Sequence, residues 1–240
     1  MQKLLTILVL LAILIGMLVH GPIAQLEGYH SFADQLLRFG IINCGDVLSN
    51  AGFALVALWG MLRLWPERQQ LNLGFTLFVI AIFLTAIGSG YYHWSPNDER
   101  LVWDRMPISL ACAGLLAGVW QNFSAHKNQW PLVIALSVFA IGGVVYWHFS
   151  GDLRLYLGLQ ALPLLLIPIW QWHAPKSTRI AFAAAIALYV LAKVAELADH
   201  QIYAVLGFMS GHTLKHLLST LAAGTIIYHL VQTTRSRYYK

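Results

Sequence analysis

Charge is scarce in this sequence. Only 10% of its 240 residues are Asp, Glu, Lys or Arg, while 58% are hydrophobic. A soluble domain carries roughly 25% charged and about 45–50% apolar residues. A water-soluble globule with a charged surface is therefore excluded. Cysteine is scarcer still. The two present, Cys44 and Cys112, lie far apart and outside any CxxC pattern. That rules against a disulfide framework and a thiolate metal site. No soluble domain, long linker, low-complexity tract or internal repeat interrupts the apolar pattern. The formal net charge of +5 does not mark a nucleic-acid binder, because the basic residues are scattered over the ends of apolar runs. Membrane topology scatters them in that way.

A spanning helix needs roughly 20 apolar residues. Eight segments qualify: about 4–20, 45–64, 72–93, 104–123, 130–148, 154–172, 179–199 and 210–232. The expected fold is all-α, a polytopic transmembrane bundle of seven core helices plus one N-terminal hydrophobic helix. It divides into residues 1–22 and a membrane domain over 23–240. Tryptophans 65, 94, 103, 130, 147, 170 and 172 stand at predicted helix ends, where indole rings favour the headgroup level. The first segment has the basic start and apolar stretch of a signal peptide. GPIAQ after it is a poor cleavage site, which favours an uncleaved helix.

With the N-terminus inside, nine basic residues fall on the inside: Lys3, Arg63, Arg68, Lys127, Lys176, Arg179, Arg235, Arg237 and Lys240. Four fall outside: Arg38, Arg100, Arg105 and Arg154. This positive-inside bias predicts both termini in the cytoplasm. The short loops suggest a bacterial inner membrane.

Against this apolar background, IGSGYYHWSPNDERLVWDRMP (87–107) stands out. Ser89 and His93 are four apart and share one helix face. His212 and His216, in GHTLKH, repeat the spacing at the start of the last segment. Both pairs, and Asp104 at the start of the next helix, fall at outer helix ends. Ionisable groups at membrane depth are costly, so each is a functional candidate. Three imidazoles with an open position describe a catalytic zinc site. Zinc acidifies its bound water to a pKa of about 7. Asp104 is then a proton carrier and Ser89 an oxyanion donor. The chemistry expected is hydrolysis of an amide or ester in a lipid within the bilayer.

His20, His126, His148, His173 and His229 have no partner at ligand spacing and read as interface residues; His30 and His200 stay open. Lys193 and Glu196, three apart, read as an ion pair, with recognition of a polar head as the alternative. Asn97, Asp98, Glu99 and Arg100 read as a solvated turn.

The set Ser89-x3-His93, Asp104, His212-x3-His216 resembles the alkaline ceramidase family, within the superfamily of seven-helix membrane hydrolases that includes the adiponectin receptors. The eleven-residue step from His93 to Asp104 looks like the ceramidase branch. WDRMP (103–107) is similar to that family's D-E-x-P-M region, with Arg105 in place of the acid. DVLSN (46–50) is similar to the serine–asparagine pair of its first core helix. The resemblance covers residues 46–232. It implies zinc on His93, His212 and His216, with Asp104 and Ser89 as catalytic residues. Ser49 would be a hydroxyl for helix packing. The implied activity is cleavage of the amide bond of ceramide or a ceramide-like N-acyl lipid. The family's eukaryotic members carry an acidic calcium site. Here only Glu27, Asp34 and Asp46 are on offer, at different spacing, and calcium wants six to eight oxygens.

Two other readings use the same residues. Gly88-Ser89-Gly90 superficially resembles a rhomboid nucleophile, with His212 as base, which makes the chain an intramembrane serine protease. Alternatively, the paired histidines bind haem, or the protein is a lipid-sensing receptor without useful turnover.

Overall fold

The computed structural model describes residues 1–124 and 128–238, with side chains through 234. His126, Lys127 and Lys240 lie outside the described residues, as do the side chains of Arg235 and Arg237. The helices are α1 (Gln2–His20), α2 (Cys44–Ser49), α3 (Ala51–Leu64), α4 (Leu73–Trp94), α5 (Asp98–Ser124), α6 (Trp130–Ser150), α7 (Arg154–Trp170), α8 (Lys176–Leu197), α9 (Asp199–Leu206) and α10 (Gly211–Tyr238). A short 3₁₀ turn, Trp65–Glu67, follows α3. Among the described residues there is no strand beyond one isolated bridge, Arg38 to Ile41. Cys44 and Cys112 are both free thiols.

Among the described residues seven segments are long and apolar enough to cross a membrane, the second of them running from α2 through the 3₁₀ turn; α7 is a shorter apolar helix. Large apolar side chains such as Leu55, Ile80, Ile134, Leu191 and Leu221 face outward. In water these would be a broad apolar patch; against lipid they are the expected surface. The architecture is that of an integral membrane helix bundle.

Small residues bring α4 and α5 into backbone contact. A Cβ on Gly114 would lie 2.7 Å from the Phe78 amide, and one on Gly118 would lie 2.5 Å from the Phe75 ring. Gly88 faces the Trp103 carbonyl just as closely. Membrane helices associate through such close packing, because lipid leaves no hydrophobic drive between them. The α4–α5 contact sets Ser89 and His93 opposite Asp104. The main core unites α3 to α8 and α10 around residues such as Phe53, Phe78, Leu116, Ile167 and Ile227. α1 is peripheral: its only buried side chain is Thr6, which accepts from Trp170 Nε1 at 2.9 Å.

Residues 21–43 form an irregular segment over one end of the bundle. His30 contacts the Tyr92 hydroxyl at 2.9 Å and Asp98 at 3.1 Å. His200 Nε2 reaches the Ser31 carbonyl at 3.0 Å. The two histidines left open by the sequence therefore tie this segment down. A second apolar cluster, with Phe32, Tyr92, Leu101 and Trp147, fills the space beneath it.

Several expectations are corrected. Asp98, Glu99 and Arg100 are the first turn of α5, capped by Asn97 Oδ1 accepting from the Arg100 amide at 2.8 Å. Trp147 and Trp170 are buried, not interfacial. Arg105 is no loop charge: it is 2% exposed, its guanidinium lies 3.9 Å from the Trp147 ring centroid, and Nη2 donates to Gln25 at 2.8 Å. Cation–π contact gives a buried guanidinium a partner that hydropathy does not register. His229 is half-buried and contacts Thr178 Oγ1 at 3.1 Å, whereas His20, His148 and His173 are exposed.

Asp152 anchors the start of the capping segment. Its carboxylate accepts from the Ile23 amide at 3.0 Å and from Arg154 Nε at 2.8 Å. The Arg154 hydrogen bond, helped by the backbone amides of Ile23 and Arg154, holds this carboxyl well below the usual carboxylate range. A depressed folded pKa adds stability above the unfolded value, about 4, which is lost as pH falls through the folded value. Asp152→Asn is expected to lower the melting midpoint in detergent by a few degrees at pH 7. The gap to wild type should persist down to a pH of about 4 and narrow below it.

Candidate metal centre

The site is assembled from three helix ends. Ser89 and His93 lie in the last turns of α4, Asp104 in the second turn of α5, and His212 and His216 in the first turns of α10. All five side chains are buried, His93 completely. The five residues separated by up to 127 positions in sequence thus share one end of the bundle.

The three imidazoles form a near-equilateral group. Ring centroids are 4.7 Å apart for His93–His212, and 4.9 Å for both His93–His216 and His212–His216. One nitrogen from each lies within 4.8 Å of the others, the geometry of a three-histidine metal group. His93 Nε2 and His212 Nε2 are 3.2 Å apart. Tetrahedral ligation with Zn–N near 2.0–2.1 Å places two nitrogens about 3.3 Å apart, so this separation fits one shared ion. Phe32, from the capping segment, packs edge-on against His93 and His212 with centroids at 4.7 and 4.5 Å. It screens the rings from water.

His216 shows which of its nitrogens is free. Ser49 Oγ donates its one proton to the Asp46 carbonyl at 3.1 Å. The hydroxyl oxygen is then the acceptor for His216 Nδ1–H at 2.8 Å. Nε2 is left with a bare lone pair, buried and without a hydrogen-bond partner. A ligating histidine fixed through its other nitrogen is the usual second layer of a metal site. Ser49 is therefore more than the packing hydroxyl expected from the sequence.

DVLSN explains how Ser49 gets there. Asn50 Nδ2 also donates to the Asp46 carbonyl, at 2.7 Å. Two side chains thus occupy the acceptor that the helix ladder would use, and the Asn50 amide turns to Val47 at 3.3 Å. Such local competition bends helices, and the break between α2 and α3 falls at Asn50. The Asp46 carboxylate accepts from Ser210 Oγ at 2.9 Å and Thr213 Oγ1 at 2.6 Å. It fastens α2 to the start of α10. Asp199 accepts the His212 amide at 2.7 Å and the Ala33 amide at 2.9 Å, capping α10 and the overlying segment together. Gly211 is required at this junction, since a Cβ would lie 2.7 Å from the Asp199 Cα.

Ser89 and Asp104 share a wall. The Ser89 hydroxyl is within hydrogen-bonding reach of the Asp104 carboxyl, and Asp104 Oδ1 is buried with no partner. His212 Nε2 faces His93 and the Lys215 ammonium, the latter at 3.1 Å, rather than Ser89. Lys215 also donates to Glu196 Oε1 at 2.7 Å, while Lys193 donates to Glu196 Oε2 at 2.8 Å. The expected Lys193–Glu196 pair is present, and Lys215 enlarges it to a triad. Sequence spacing does not show this contact, because Lys215 lies on α10 and Glu196 on α8.

These groups form the polar end of a cavity of about 170 Å³. Ser89, Asp104, His216 and the Lys–Glu–Lys triad line that end; Phe78, Leu115, Ile167, Phe182 and Ile226 line the rest. From His216 to Ile226 is ten residues along α10, roughly 15 Å. The shape is a polar head over an apolar shaft.

Glu27, Asp34 and Asp46 are not gathered into one donor group. Glu27 is exposed, Asp34 accepts from the Gly45 amide at 2.8 Å, and Asp46 holds the two hydroxyls.

Fold and site together define an integral membrane helix bundle with a buried three-histidine group at metal-binding distances. Comparison with models of known protein families and with characterised proteins finds no match.

Ser49→Ala is expected to lower metal affinity roughly 10–100-fold, the usual effect of removing such a partner. Competition with a chromophoric chelator on detergent-purified protein measures it, with an unchanged elution profile as the folding control.

Proposed function

We propose that this protein is a zinc-dependent intramembrane hydrolase of the alkaline ceramidase type. It cleaves the amide bond of ceramide or a ceramide-like N-acyl lipid, giving a fatty acid and an amino-alcohol base. The observation that carries this reading is the convergence of three histidines, one of which, His216, lines the polar end of an apolar shaft together with Asp104 and Ser89. The spacing of those five residues supports the same family.

Zinc bound there supplies a water acidified to a pKa of about 7 and a Lewis acid for the scissile carbonyl. The chain's own residues do the rest. The apolar shaft takes the acyl chain, which orients the amide at its polar end. Asp104, with an unpartnered oxygen, takes a proton from water and returns it to the leaving nitrogen. The Ser89 hydroxyl donates to the oxyanion that develops on the acyl carbon. Phe32 and the capping segment exclude bulk water, which strengthens each of these interactions. The positive-inside bias favours an orientation with this end on the extracytoplasmic face.

A serine protease needs a base on Ser89, and His212 faces elsewhere. A bis-histidine haem needs a flat slot between two rings; imidazoles whose centroids are 4.7–4.9 Å apart leave none.

Elemental mass spectrometry of the purified protein is expected to find about one zinc per chain, the number a single three-histidine site holds. The His93→Ala/His216→Ala variant should hold none, and chelation should abolish hydrolysis of an N-acyl lipid. No zinc in the wild-type protein removes the proposal. Asp104→Asn should keep its zinc and lose kcat by about 10²–10⁴; unimpaired turnover would remove Asp104 from the mechanism.

A further inference from the structure

The Lys193–Glu196–Lys215 triad has no task in the chemistry just described, yet all three side chains line the same cavity. Its hydrogen bonds show what it can receive. Both Glu196 oxygens are occupied, Oε1 by Lys215 and Oε2 by Lys193. At Glu196 an incoming cation competes with two ammonium groups already in place. The ammonium groups are different. Each carries three donors. Lys193 uses one on Glu196; Lys215 uses one on Glu196 and directs another to His212. Lys193 stands at the rim with its side chain 43% exposed, Lys215 deeper at 14%.

Charge points the same way. Glu196 and Asp104 offset the two lysines, and a divalent cation on the histidines leaves the polar end positive. In an apolar surrounding an unbalanced positive charge is costly, and an anion placed there relieves it. A neutral hydroxyl head does so only weakly, and a cationic head adds to the cost.

We infer that, among N-acyl lipids, the one cleaved here carries a carboxylate on the amine side of its amide, so that its amine product is an amino acid in place of the amino alcohol a ceramide gives, and that Lys193 and Lys215 bind that carboxylate beside the scissile bond. This inference rests on the hydrolase reading for turnover, and on the triad together with a cation at the three histidines for binding. The ammonium donors not engaged by Glu196 supply hydrogen bonds to a monoanionic carboxylate. Hydrolysis adds water across the acyl C–N bond: the oxygen joins the acyl carbon, the nitrogen leaves with a proton as the amine, and nothing is oxidised or reduced. The carboxylate stays on the amine product.

N-palmitoylglycine and N-palmitoylethanolamine test this. They share acyl chain, amide and size, and differ in a carboxylate against a hydroxymethyl group. With the purified full-length chain in detergent, kcat/KM is expected to favour the glycine amide at least ~10-fold, carried by KM, as charge-assisted hydrogen bonds give. Equilibrium binding should show the same preference in Kd. Lys193→Met should shrink the preference, and Lys193→Arg should keep it. A wild-type ratio near one, or one favouring the ethanolamide, overturns the inference; so does a preference that survives Lys193→Met. Tighter binding of the glycine amide with cleavage of neither keeps the carboxylate site and removes the hydrolase reading. Cleavage of both at equal efficiency does the reverse.

Discussion

Inside a lipid-facing bundle a polar group has only protein to pair with, and the demand is greatest where helices begin and irregular chain must be covered. Aspartates meet it at this end of the molecule. Asp199 joins the His212 amide in the first turn of α10 to the capping segment, Asp46 ties α2 to Ser210 and Thr213, and Asp152 holds Ile23. Each joins segments distant in sequence. Without them the α10 start that carries His212 and His216 would have no fixed height relative to α4, and the segment bearing Phe32 would not lie over the rings.

The same end combines two kinds of order. Backbone contact through glycines brings α4 against α5, so that Ser89 and His93 meet Asp104. Hydrogen bonds then set the orientation of individual groups, of which Ser49 on His216 is the clearest. The apolar remainder of the bundle contributes a shaft instead of a solid core. A polar site at the end of such a shaft suits a molecule that is itself half polar and half hydrocarbon. The Lys–Glu–Lys triad adds a sign of charge to the polar half, and this distinguishes among lipids that share an amide.

Much of the architecture was legible in composition and periodicity. Apolar runs must become helices in lipid, because only a helix satisfies a spanning backbone by itself; all eight predicted segments are helical, but 45–64 is broken at Asn50 into α2 and α3, and α5 begins at Asp98, well before the expected 104. The convergence of Ser89, His93, Asp104, His212 and His216 was also readable, since i,i+4 spacing fixes a helix face and alternating spans fix an end. Arg105, Trp147 and Trp170 were misplaced for one reason: hydropathy treats a cation or an indole at a helix end as belonging to the interface. It does not see the partner that draws each inward.

The sequence by itself therefore determined the number of long apolar segments, the end at which polar chemistry gathers and the residue types available there. Those properties follow from local periodicity and from the cost of polar groups in lipid. The tertiary structure alone decided which nitrogen of His216 is free, that Lys215 joins Glu196, that Phe32 packs on His93 and His212 and that an apolar shaft opens beside His216. Each of these depends on side chains from different helices meeting within about 3–5 Å, the range of hydrogen bonds and ring contacts. Linear spacing carries no information about such meetings.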